Sequence, residues 1–218
     1  MLTWLVFGVL IASVTGDENK DFYNFTVKDA QDQDFALEQF RGKVTLVVNV
    51  ASYCGFTEKH YEALTKLDGI LGHDGYFRVL AFPCNQFGEQ EPGSMQEIVN
   101  FVVNTFHAEF PIFKKIDVVG ENADKAFKNL YQQCGVMPDW NFYKYLVDHG
   151  GKVIGAWGPK VDVESLFDSI SAAVKIAANH DQDGKVAKKT VFYHNVVDPG
   201  AFDYDADEEH EDSWKDEL

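Results

Sequence analysis

Arginine is almost missing from this chain: Arg41 and Arg78 are the only two in 218 residues. Lysine and arginine together number 19 against 35 acidic residues, a formal net charge of −16. So acidic a chain excludes nucleic acid as its main partner, because a phosphate backbone is bound by clustered lysines and arginines. Cysteine is scarce too. Cys54, Cys84 and Cys134 are the only three, too few for a disulfide scaffold. They show neither CxxC spacing nor a histidine pair that would complete a zinc site, so no metal is expected. Their odd number leaves at least one thiol without an intramolecular mate. No apolar run approaches the roughly 20 residues of a bilayer span. What remains is ordinary: 45% hydrophobic and 25% charged residues, the balance of one globular domain with appendages.

The appendages read as addresses. Residues 1–16, MLTWLVFGVLIASVTG, are apolar from Leu2 to Ala12 except for Thr3 and Gly8, and end in small residues before Asp17. That is the pattern of a secretory signal peptide, although only the amino terminus supplies positive charge. The last four residues are Lys215, Asp216, Glu217 and Leu218, a KDEL signal read by a retention receptor of the endoplasmic reticulum. The two together predict the lumen of that compartment, where disulfides are permitted. Asn24-Phe25-Thr26 is a glycosylation sequon that the same compartment makes available. Between 198 and 218, ten acidic residues face Lys215 alone. Residues 179–218 therefore read as a solvated, disordered acidic tail that holds the retention signal away from the body; without EF-hand spacing, calcium binding is the lesser reading.

The body, residues 22–178, alternates in period. Thr45–Val50 is a β-branched run bounded by turn residues, and Phe77–Phe82 is a second apolar run ended by Pro83. Between them Tyr61, Leu64, Leu67 and Leu71 recur at helical spacing. Two further helices follow, marked by Met95, Ile98, Val99, Val102 and Phe106, and by Ala123, Ala126, Phe127, Leu130, Tyr131 and Cys134. Tyr143–Val147 and Val153–Trp157 flank His149-Gly150-Gly151 as a hairpin, and Val163 to Val174 carries a last apolar stripe. A βαβ unit followed by a helix pair, a hairpin and a helix makes an α/β protein with a mixed central sheet flanked by helices. A thioredoxin-like fold is the simplest match.

Each cysteine has its own reading. Cys54 follows the first long strand and precedes a helix, where backbone N–H groups favour a thiolate able to attack a peroxide or a disulfide. A dithiol exchange enzyme places its second cysteine three positions on, but that residue is Thr57, so the chemistry needs a distant or an external thiol. Cys84 follows the second long strand and is the candidate resolving thiol if the strand ends adjoin. Cys134 lies on its helix's apolar stripe and reads as core.

Three blocks then carry a resemblance. Asn49–Thr57 reads NVASYCGFT, Leu80–Pro92 reads LAFPCNQFGEQEP, and Trp140–Leu146 reads WNFYKYL. Together they resemble the glutathione peroxidase family in its cysteine form, over most of residues 22–178, and the two ends make the chain similar to members resident in the endoplasmic reticulum. The resemblance implies a catalytic set of Cys54, Gln90, Trp140 and Asn141, with Gln86 the competitor for the glutamine. Cys54 would attack the O–O bond and become a sulfenic acid, while the other three donate hydrogen bonds to sulfur and leaving oxygen. Relatives with a resolving cysteine on the helix after the NQF block find no counterpart in Glu97–Asn104. Cys84, inside FPCNQF, is preserved. The stretch Gln133–Asp139 is too short for the insertion of the tetrameric relatives, which implies a monomer.

The expected activity is a thiol peroxidase that reduces hydrogen peroxide, with organic hydroperoxides a further substrate class. It passes oxidising equivalents to protein disulfide isomerase-like thiols and uses no cofactor beyond the thiol reductant. Glutathione in that role, without a protein partner, is the alternative; scarce arginine counts against it, since its carboxylates need basic side chains such as Lys59. A non-catalytic redox-sensing module is the reading from another class. A peroxiredoxin is disfavoured by Val50-Ala51-Ser52-Tyr53, which lacks that family's proline and threonine.

Overall fold

The computed structural model describes residues 20–183. The predicted signal peptide, Lys215 to Leu218 and all but the start of the predicted tail lie outside the described residues. Two strands that apolar spacing does not announce come first. Thr26–Lys28 (β1) pairs antiparallel with Asp34–Ala36 (β2). Each is only three residues long, and the turn is made by Asp29, whose Oδ1 accepts the N–H groups of Gln31 and Gln33, both at 2.9 Å. This is the side-chain turn that short polar residues favour.

The main sheet is built from Val44–Val50 (β3), Phe77–Pro83 (β4), Lys144–Val147 (β5) and Val153–Trp157 (β6). Its spatial order is β4-β3-β5-β6. β3 and β4 are parallel, joined through the helix Thr57–Leu71 (α1); β5 and β6 add antiparallel pairs. The mixed sheet expected from the sequence is therefore present.

Strand periodicity divides the core in two. Val44, Leu46, Val48 and Val50 face one side with Phe77, Val79, Ala81 and Leu146. They pack against Tyr61 and Leu64 of α1, Val102 of Met95–Phe106 (α2), and Ile170 and Ala173 of Phe167–Asp183 (α4). Val47, Leu80, Phe82, Tyr145 and Val147 face the other side, against Phe127 and Leu130 of Lys125–Cys134 (α3) and residues of the N-terminal segment. The helices lie on both faces, as expected of a three-layer α/β domain. The last stripe begins as a short 3₁₀ turn, Glu164–Leu166, before α4, which continues past residue 178 to Asp183.

The outer edge of β4 is covered rather than open. Phe113 donates its N–H to Ala81 O (2.9 Å), Ala81 donates to Pro111 O (3.1 Å), and Phe113 stacks on Phe82 with centroids 4.5 Å apart. Covering an edge in this way removes a template for unwanted strand pairing. The β5–β6 turn needs Gly151: its φ is +89°, and a Cβ there would stand 2.4 Å from Asp21 Oδ1. Arg41 closes the same corner on Asp21, Glu38 and Gly150 O.

Candidate active site

The turn after β3 is tied down before it reaches α1. Thr57 Oγ1 donates to Ala51 O (2.7 Å) and accepts the Cys54 N–H (3.1 Å), while Thr57 N–H donates to Cys54 O (3.0 Å). The residue at the position of a dithiol motif's second thiol is thus the brace of the Cys54 turn. From the other side Ser52 N–H donates to Glu91 Oε2 (2.7 Å), and Tyr53 N–H donates to Gln90 O (3.0 Å). Cys54 is 8% exposed and unbridged, at the start of α1, where the helix's free N–H groups lie. Beside it Tyr53 is 71% exposed.

The loop after β4 delivers the second group. Gly88 and Glu89 both take left-handed backbone, φ 67° and 53°, so the chain reverses and brings Gln90 and Glu91 back to the Cys54 turn. Lys115 Nζ holds this loop through Glu91 O (2.9 Å) and Gly93 O (2.7 Å). The Glu91 carboxyl is buried, and burial raises its pKa above the ordinary glutamate value.

The third segment, Trp140 to Tyr143, is clamped to β3 by Asn49. Asn49 Nδ2 donates to Trp140 O (3.0 Å), Asn49 Oδ1 accepts the Tyr143 N–H (2.9 Å), and Asn49 O accepts the Phe142 N–H (2.6 Å). Phe142 is left-handed, φ 65°, a conformation that costs a non-glycine residue on the order of 1–2 kcal/mol. These bonds hold it there. The turn places Asn141 in the interior, where its Nδ2 donates to Gln90 Oε1 (3.0 Å) and Phe87 O (3.3 Å). Trp140 stays 37% exposed, with its ring 6.4 Å from that of Phe87.

Gln90 is thereby tied to the Cys54 turn and Asn141 to Gln90, while Trp140 precedes Asn141 on the segment clamped to Asn49. The details change the role expected of Asn141 and set aside the competitor Gln86. Both hydrogens of the Asn141 amide are taken by protein acceptors, and its buried Oδ1 has no partner. Asn141 therefore offers an acceptor and orients Gln90, whose Nε2 is left as the donor. Gln86, the competitor, is committed elsewhere: its Oε1 accepts the N–H groups of Val118 (2.7 Å) and Val119 (3.1 Å), and its Nε2 donates to Val119 O (2.9 Å).

Cys84 is fully buried and unbridged. It continues the phase of Leu80 and Phe82 and packs in the core opposite to that of Cys54. Burial pushes its thiol pKa up, and its Sγ donates to Gln86 Oε1 at 3.6 Å. Cys134 is half-buried at the end of α3 with Sγ against Leu130 O (3.3 Å), and burial raises it as well. Asn24 is exposed, with only Oδ1 engaged, by the Asp21 N–H at 3.0 Å.

Four polar residues near the site escaped the sequence reading: Asn49, Glu91 and the pair Lys144–His60. Lys144 had a signal. It stands between Phe142 and Leu146 on the inward phase of a strand, where a charge is out of place. Lys144 Nζ meets His60 Nε2 (3.1 Å), Phe142 O (3.1 Å) and Gly158 O (2.9 Å). Burial lowers its pKa from 10.5 to about 7, against the opposing pull of Asp162 and Glu164. Burial and the neighbouring Lys144 charge lower His60 to about 3, with Lys59 adding to this and Asp162 opposing it. A base whose folded pKa lies below its unfolded one binds fewer protons in the folded state, so stability rises with pH between the two values. Lys144 thus makes the wild type gain about 2–3 kcal/mol between pH 7 and 9.5. Urea denaturation at those two pH values reads this gain, and Lys144→Met removes most of it.

Comparison with known proteins gives concordant matches. The family model for glutathione peroxidase matches residues 22–131. Glutathione peroxidase 7 of Homo sapiens is 49% identical over 172 residues, covering 79% of this chain and 90% of that protein. The crystal structure of Trgpx in apo form superposes with a TM-score of 0.59 at 34% identity, over 72% of this chain and 97% of the other. A thioredoxin family thiol:disulfide interchange protein from Chlorobium tepidum, 12% identical with a TM-score of 0.50, covers 69% of this chain and 92% of its own and shares the fold alone.

Proposed function

This chain belongs to the glutathione peroxidase family and is a peroxidase, and we propose that it works through Cys54 with Gln90, Asn141 and Trp140. The Cys54 thiolate attacks one oxygen of hydrogen peroxide. The O–O bond breaks, sulfur becomes a sulfenic acid, and the other oxygen leaves as hydroxide and takes up a proton to become water. Gln90 Nε2 and the Trp140 indole N–H donate to sulfur and to the departing oxygen, and Asn141 holds the Gln90 amide in place. The observation that carries this reading is the Asn141–Gln90 hydrogen bond beside the braced Cys54 turn. It joins two of the proposed partners at a buried point beside that turn.

The sulfenic acid condenses with a thiol, releasing water and leaving a disulfide; a second thiol then frees Cys54. In balance, one dithiol is oxidised and one peroxide gives two waters. We assign the dithiol to a protein disulfide isomerase-like partner in the endoplasmic reticulum, on the strength of residues 1–16 and 215–218. The same address supports glycosylation at Asn24 and capture by the KDEL receptor. Cys84 resolves Cys54 only if residues 84–87 leave their present packing, whereas an incoming thiol needs only access to Cys54. No cofactor enters the scheme, and the chain acts as a monomer.

Glutathione is the weaker reductant in this account. Arg41 is bound by Asp21 and Glu38, Arg78 by Asp68 and Glu109 O, and Lys59 by Asp162, so none is an unengaged clamp for its carboxylates. Steady-state kinetics decide the matter. We expect kcat/KM for a reduced disulfide isomerase to exceed that for glutathione by about tenfold or more; efficient, saturable turnover with glutathione alone contradicts the assignment.

A further inference from the structure

The interior holds one lysine that the peroxidase scheme does not use. Lys144 is fully buried on β5, and no carboxylate among the described residues lies within ion-pair distance of it. An ammonium in such a place is costly unless each N–H finds an acceptor. Here three donors meet three acceptors: Phe142 O, Gly158 O and His60 Nε2.

Those acceptors belong to three different segments. His60 is on α1, within two turns of Cys54. Phe142 is the left-handed residue directly after Asn141. Gly158 follows the end of β6. The packing around the group is aromatic: the His60 ring lies 5.0 Å from Phe142 and 5.7 Å from Phe56, centroid to centroid. Methionine or leucine would fill the inward position at smaller desolvation cost, so the sheet does not need an ammonium there. What an apolar side chain cannot do is fix Phe142 O. That carbonyl sets the turn that aims Asn141, and the turn is then held from the β3 side by Asn49 and from the α1 side by Lys144.

We propose that Lys144 is a positioning residue of the peroxide site, tying α1, which follows the nucleophile, to the strained Asn141–Phe142 turn through its three hydrogen bonds. The proposal rests on the assignment of Asn141 to that site. His60 accepts through Nε2, so its proton is on Nδ1. It serves as a neutral acceptor in the tie and is not an acid in the reaction.

The test separates reaction with peroxide from simple exposure of the thiol. At pH 6, where the ammonium keeps its three donors, the full chain and its variants are treated with hydrogen peroxide and, separately, with iodoacetamide. The rate of Cys54 modification is read by mass spectrometry. Lys144→Met is expected to slow oxidation by about tenfold to a hundredfold, the scale of a slightly misplaced group. Its iodoacetamide rate should stay within about twofold of wild type. Combined with Asn141→Ala, it should add less than about twofold to the effect of that change, because both act through one group. His60→Leu, which removes one acceptor and keeps the ammonium, should slow oxidation by about threefold or more, and decides the question if Lys144→Met does not fold.

An unchanged oxidation rate in folded Lys144→Met, or a proportional change in both rates, overturns the proposal. If Asn141→Ala itself oxidises at the wild-type rate, the assignment of Asn141 has failed first. If Asn141→Ala is slow and Lys144→Met is normal, only the present inference has failed.

Discussion

Serine in place of Cys54 is expected to abolish peroxide reduction, lowering kcat/KM by about three orders of magnitude or more. The size follows from the absence of a substitute. Cys84 is fully buried and its thiol is pushed up by that burial. Cys134 is half-buried, raised in the same way and turned onto Leu130 O. Neither supplies an accessible thiolate. The substitution keeps the fold, because the turn is held by Thr57, Glu91 and the Gln90 carbonyl through backbone groups rather than through the Cys54 sulfur. A peroxide consumption assay, with circular dichroism on the same sample, checks both halves. Retained activity would move the nucleophile elsewhere, and an intact cellular role with no activity would favour a binding module.

Removing the Asn141 side chain has the next largest effect. Asn141→Ala is expected to slow the oxidation of Cys54 by about a hundredfold, the cost of losing one preorganised polar group at a developing charge. Gln90 Oε1 and Phe87 O lose their shared donor, so the Gln90 amide is no longer aimed. Stopped-flow oxidation under pseudo-first-order peroxide measures the change directly. The iodoacetamide rate of the same variant should move by less than about threefold, since alkylation has no oxygen leaving group to stabilise. Equal losses in both reactions would assign Asn141 to the integrity of the Cys54 turn instead.

The legible parts of this chain are those where a period runs long enough to be counted. β3, β4 and α1 follow from Thr45–Val50, Phe77–Phe82 and the spacing of Tyr61, Leu64 and Leu67, and the position of Cys54 at their junction comes with them. β1 and β2 could not be read, because three residues hold barely one alternation and the turn between them rests on a single Asp29 carboxylate. The role of Asn141 was legible only as a residue type in a motif. That its amide is spent on Gln90 and Phe87, leaving the carbonyl free, depends on the left-handed Phe142 and on Asn49 across the sheet. Cys84 is instructive in another way. Adjacent strand ends suggested proximity to Cys54, and β3 and β4 do end side by side, with Val50 opposite Pro83. The phase Leu80–Phe82–Cys84, however, turns the sulfur to the opposite core. Side-chain direction, not strand order, decides whether two thiols meet.

On the proposed mechanism, Cys54 is the residue that peroxide oxidises. The direct measurement treats the fully reduced protein with one equivalent of hydrogen peroxide and maps the products by non-reducing peptide mass spectrometry, with a sulfenic acid trap present. The oxidised sulfur is expected to be that of Cys54: trapped as sulfenic acid, or joined to Cys84 if residues 84–87 open faster than the trap reacts. Cys134 stays reduced in either case. A Cys54 that remains a free thiol while peroxide is consumed, or while another residue is oxidised, contradicts the account.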